Sequence, residues 1–99
     1  MSRSKRTRAL AISPKVKAEV YARDRERCIF CGRAGLPEGH YISRSRGGLG
    51  IPENIVTVCR ECHRRMDQSS ARAEMLQEAK RYLDIFYPNF SDDNRIYRR

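Results

Sequence analysis

Tryptophan is missing from the 99 residues, histidine occurs twice, and three phenylalanines and five tyrosines supply all the large aromatic side chains. With 39% apolar and 33% charged residues, the chain is globular in composition but has a thin interior, so a single core of this size needs an added staple. No apolar run approaches the roughly 18 residues of a membrane span, which excludes a membrane partner of that kind. No apolar signal core follows the basic residues at the amino terminus, and the expected location is cytoplasmic. No internal repeat is visible, which sets aside solenoids and arrays. Acidic residues are also few: 12 Asp and Glu face 21 Lys and Arg, for a net charge of +9. That balance favours polyanions through counterion release, so nucleic acid is the leading partner class.

Residues 1–11 carry Arg3, Lys5, Arg6 and Arg8 without a hydrophobic period, and read as a flexible basic arm ahead of a single domain over 12–99. Ser13-Pro14 offers a cap followed by proline at the first helical position, predicting a helix to about Arg23 with Val16 and Val20 on one face. Residues 33–39 read as loop and His40-Tyr41-Ile42 as a short strand; Gly47-Gly48-Leu49-Gly50 breaks into a long turn. Ile55-Val56-Thr57-Val58 is the strongest strand signal, and Cys59 opens a helix after it. From about 71 to 87, Met75, Leu76, Ala79, Tyr82, Leu83 and Phe86 follow helical spacing until Pro88, and residues 88–99 form a tail that packs as an extended arm or stays loose.

Cys28 and Cys31, then 27 residues, then Cys59 and Cys62 make two Cys-x-x-Cys pairs. Without a secretion signal, that doubled spacing points to one tetrahedral zinc ion rather than to disulfides. A four-thiolate site has no open position for water or substrate, so the zinc is structural and any chemistry lies elsewhere. Both histidines, His40 and His63, fall inside this frame, and Asn54 lies between them. Each has a bland reading too: His63 as a surface or substitute zinc ligand, His40 as a hydrogen-bonded strand residue, Asn54 as a turn residue.

In order and spacing, Arg23-Asp24, the Cys28-x-x-Cys31 knuckle, Gly39-His40, Arg46-Gly47-Gly48, Asn54-Ile-Val-Thr-Val and Cys59-x-x-Cys62-His63 resemble the HNH endonuclease family, over about residues 16–67. The resemblance implies an α+β fold, a small ββα-metal, treble-clef-like domain with structural zinc and flanking helices. It also implies DNA, double-stranded, as substrate and hydrolysis of phosphodiester bonds. His40 would be the general base, Asn54 would brace the loop between the strands, and His63 with Asp67 would hold a catalytic Mg²⁺ or Mn²⁺, Ni²⁺ or Zn²⁺ also being admissible to a histidine ligand. The family usually places Asp or His before the base and uses it as a metal ligand; here that residue is Gly39, with Glu38 as the nearest substitute. Arg44, Arg46, Arg60, Arg64 and Arg65 surround these positions as expected phosphate contacts. Two rival readings remain: a non-catalytic zinc-stapled nucleic-acid-binding module, and an accessory of phage DNA packaging that docks on packaging proteins. A homodimer would serve double-strand cutting.

Overall fold

The structure is a computed structural model that describes residues 4–98; Arg3 of the expected arm and Arg99 of the tail lie outside the described residues. Among the described residues there are four helices and one two-stranded sheet: α1 (Lys5–Leu10), α2 (Pro14–Arg23), β1 (Leu36–His40), β2 (Ile55–Val58), α3 (Arg60–Gln68) and α4 (Arg72–Phe86), with 3-10 turns at Arg44–Arg46 and Asp92–Arg95. This is the expected small α+β architecture. No helix among the described residues is long and apolar enough to cross a membrane.

The basic arm is the first correction. Ser4 caps a helical turn by accepting from the Thr7 N–H at 3.1 Å, and the turn delivers Leu10 into the interior at 2% exposure. One apolar side chain at the end of a charged stretch leaves no periodic signal, yet its burial is enough to fix the segment against the body of the protein. Helix α2 starts as expected, with Ser13 accepting from the Val16 N–H and Pro14 at the first position, and buries Val20 completely.

The second correction concerns β1, which occupies Leu36–His40 where a loop was expected and ends at His40 where a strand was expected to begin. Pairing with β2 is antiparallel, Leu36 opposite Val58, Gly39 opposite Val56 and His40 opposite Ile55, so β1 holds one extra residue between its first two partners. Proline and glycine in Leu36-Pro37-Glu38-Gly39-His40 disguise the strand, and the extra residue marks a bulge that re-aims the side chains beyond it. Strand β2 is buried along its whole length and forms the centre of the core with Met66, Met75 and Leu83.

Arg23 locks three elements together. Its guanidinium grips Asp24 through two bonds at 2.8 and 3.0 Å and donates to the carbonyls of Pro52 and Ile55, both at 2.7 Å. Asp24 in turn accepts from the Thr57 N–H of β2 and from the Tyr82 hydroxyl of α4. A fully satisfied buried pair of this kind ties the end of α2 to the sheet and to α4. The tail is also ordered. Arg95, fully buried, donates to the carbonyls of Glu53 and Phe90 and to Asp92, while Ile96 bridges to Gly48.

Candidate functional site

The four cysteines come together from the loop after α2 and from the start of α3. Gly32, with φ +78°, turns the Cys28–Cys31 knuckle back on itself, and its N–H bonds the Cys28 carbonyl at 2.9 Å. Cys59 is the N-cap of α3; its sulfur accepts from the Cys62 N–H at 3.3 Å, which helps to bring the Cys59 thiol pKa down to about 7. Burial, and then the neighbouring sulfurs, push the Cys62 thiol well above its ordinary value. All four sulfurs lie within 4.8 Å of one another, with Cys31 and Cys59 at 3.6 Å. A tetrahedral ion with bonds of about 2.3 Å needs sulfurs about 3.8 Å apart, so the cluster fits zinc. Four thiolates this close require a cation to share their charge.

About β1 and α3 lies an open cleft of about 980 Å³. Alternation along β1 puts Glu38 and His40 on its wall, and α3 supplies His63 and Asp67 one turn apart. His63 Nε2 and Asp67 Oδ2 are 3.4 Å apart and both side chains are partly open to solvent. An imidazole nitrogen beside a carboxylate is a donor set that suits a divalent ion. Among the described residues, the cysteine cluster is the only group of three or more such donors gathered within 4.8 Å.

His40 is held by its outer nitrogen: Nε2 lies 3.0 Å from the Leu10 carbonyl oxygen. A carbonyl only accepts, so Nε2 carries the proton and Nδ1 keeps its lone pair in the neutral ring. Burial lowers the His40 pKa, with nearby Arg44 and His63 acting in the same direction against the Leu10 bond and Asp67. The ring is therefore neutral at pH 7. The clamp comes from the end of α1, the segment whose sequence gave least sign of structure.

Asn54 is fully buried, and its side chain reaches across the loop between the strands. Its Oδ1 accepts from the Ile42 N–H at 2.8 Å, and its Nδ2 donates to the carbonyls of Ile42 and Leu49 at 3.1 and 2.9 Å. Its own carbonyl accepts from the Tyr41 N–H, one residue past His40. Of the arginines singled out from sequence, Arg44 lines the cleft and Arg46 a neighbouring cavity; Arg60 and Arg64 are exposed on α3 and line neither. Lys17 of α2 and Arg72 at the start of α4 do line the cleft, and sequence reasoning missed both. Lys17 lies 23 residues before His40 in a stretch with no other site candidate, and Arg72 sits only nine residues after His63 but beyond the turn that separates α3 from α4.

Gly39 is not an empty ligand position. A Cβ there would meet the side chains of Val56, Met66 and Val58 at 3.1 to 3.2 Å, so position 39 faces the core and not the cleft.

A search of curated proteins found no match to the chain. Residues 28–68, from the first cysteine of the cluster to the end of α3, match the family model for HNH endonuclease. That stretch contains the cysteine frame, both histidines, Asn54 and Asp67, and it is over this segment that the chain is similar to the HNH endonuclease family.

Proposed function

We propose that the protein is a metal-dependent DNA endonuclease in which His40 is the general base, with double-stranded DNA as the polymer bound. The observation that carries this reading is the orientation of His40: a neutral ring, its Nε2 proton given to the Leu10 carbonyl, on the wall of a cleft that also holds His63 and Asp67. Nδ1 takes a proton from water as the oxygen attacks phosphorus, and the bond from phosphorus to the 3′ oxygen breaks. Protonation in that step places charge on a ring already oriented by the carbonyl it bonds. Asn54 is a positioning residue, since its amide pins Ile42 and Leu49 and so fixes the course of the chain beyond His40.

His63 and Asp67 would hold the catalytic ion, with Glu38 on the same wall as a further oxygen donor. When bound, such an ion, Mg²⁺ or Mn²⁺ by the hardness of phosphate oxygen, neutralises the phosphate and the departing oxygen. Lys17, Arg44 and Arg72 supply fixed positive charge along the cleft for the flanking phosphates. The cysteine cluster takes zinc and takes no part in the chemistry.

The test is nicking of supercoiled plasmid across Mg²⁺, Mn²⁺, Ni²⁺ and Zn²⁺ by the wild type and by His40→Ala of equal zinc content. Metal-dependent nicking that falls at least about 100-fold in the variant is the expected result, the usual scale for loss of a general base. One observation favours a non-catalytic DNA-binding module instead: outside the cysteine cluster no three donors converge among the described residues. Binding without nicking in any metal would establish that second reading.

A further inference from the structure

Next to the cleft lies a smaller cavity of about 310 Å³, and the two share Ser43 and Arg72. Its walls include the half-buried side chains of Tyr41, Ile42, Leu76 and Ile96, and Arg46 and Lys80 stand at its edge. The volume is at the small end for a ligand site, about 300 to 1,000 Å³, which leaves room for one heterocycle and not for a base pair. Two of the charged groups at its edge are already paired, Lys80 holding Asp84 at 3.0 Å. Asp92, the acidic side chain there, is already taken by Arg95 at 2.8 Å and by the Tyr41 hydroxyl at 3.0 Å. Arg46 makes no ion pair among the described residues.

Arg72 links the two cavities. It lines both, and its Nε is buried without a hydrogen-bond partner. Its guanidinium makes no ion pair among the described residues, and a planar fork of donors suits a phosphate. Leu76, on the same helix as Arg72 and one turn further on, presents an apolar surface in the same pocket.

We propose that this pocket takes one unstacked base of the DNA strand whose backbone lies in the cleft, with Arg72 on the phosphate between base and cut site. The preferred substrate is then DNA with an unpaired nucleotide beside the scissile bond, since an already unstacked base enters without the loss of pairing. The identity of the polymer rests on the endonuclease reading, but occupancy of the pocket does not depend on cutting.

The experiment uses zinc-loaded His40→Ala without added Mg²⁺ or Mn²⁺, and two duplexes that differ only in a single-nucleotide bulge carrying 2-aminopurine. Affinity is read by anisotropy and burial of the bulged base by its fluorescence. The bulged duplex is expected to bind about tenfold more tightly, the scale of one base contact, with a change in 2-aminopurine emission. In the same background Leu76→Glu, which places a carboxylate in the pocket, is expected to bring the two affinities together while leaving the paired duplex within about twofold. Gln77→Glu, at an exposed position of the pocket edge, makes the same test should Leu76→Glu lose zinc. Equal affinity for the two duplexes, no binding of either, or a preference that survives both carboxylates overturns the proposal. Failure of the wild type to nick plasmid overturns the endonuclease reading separately, because the binding preference is measured without cleavage.

Discussion

At the scale of single residues, Gly39 and His40 show how one strand serves the core and the cleft on alternate positions. Because a Cβ at position 39 would press on Val56, Val58 and Met66, Gly39→Ala is expected to destabilise the fold by about 1 to 3 kcal/mol, and Gly39→Asp by more, since the carboxylate would be buried without a partner. Thermal unfolding of the zinc-loaded variants checks this. The family pattern alone suggests the opposite, that an acid restored before the base would strengthen metal-dependent cleavage; unchanged stability with increased nicking in Gly39→Asp would vindicate that expectation. For His40 the sign of the pH effect follows from burial. Its folded-state pKa lies below the ordinary value of about 6.5, so between the two the unfolded chain binds more protons than the folded one. Stability from this residue is fully present above about 6.5 and declines as pH falls toward the folded-state value. Under the proposed mechanism the acid limb of the nicking rate likewise falls below about 6.5, and a limb centred at or above that value would contradict the buried, neutral ring.

Among the elements, α1 has the least evident reason to exist from sequence and a direct hold on the proposed base. Removing residues 1–11 takes away the Leu10 carbonyl that bonds His40 Nε2 and the buried Leu10 side chain. The truncated chain is expected to retain its zinc and to nick DNA at least about tenfold more slowly, with the loss in kcat, because orientation of the base is what disappears. Full activity in the truncated chain would show that the Leu10 bond does not position the ring. The other elements differ in how plainly the sequence announces them. Helix α4 and strand β2 carry unbroken apolar patterns, and the zinc pairs and both histidines are visible as spacing alone. Strand β1 is hidden by Pro37 and Gly39, whose roles depend on a partner strand fifteen or more residues away in β2. Long-range contacts also hide the importance of Arg95, which reads as one more surface cation in a basic tail and proves to be fully buried. Lys17 joins the cleft for the same reason, through packing of α2 that local pattern does not encode, and Arg72 joins it through the angle of the turn between α3 and α4.

Over the whole molecule, stability depends on two ties that a thin core cannot replace. The first is Arg23 with Asp24, whose side chains are 8% and 0% exposed and which join α2, β2 and α4. Arg23→Ala leaves Asp24 buried and short of a partner and is expected to cost about 3 to 5 kcal/mol, a large part of the stability of a domain this size. The second is the cysteine cluster, which joins the knuckle after α2 to the start of α3 around a sheet of only two short strands. Such a sheet is marginal alone, and the free energy of zinc binding, about 10 to 16 kcal/mol in small zinc domains, becomes folding free energy. Removing zinc with a chelator is therefore expected to abolish the cooperative thermal transition, and Mg²⁺ added in excess should not restore it, because four sulfurs are a soft site. Zinc returned at one equivalent should restore both the transition and the dispersion of amide signals. A cooperative transition that persists in chelator would mean that the Arg23 tie and the buried β2 suffice, and would move the cluster from structural staple to accessory site.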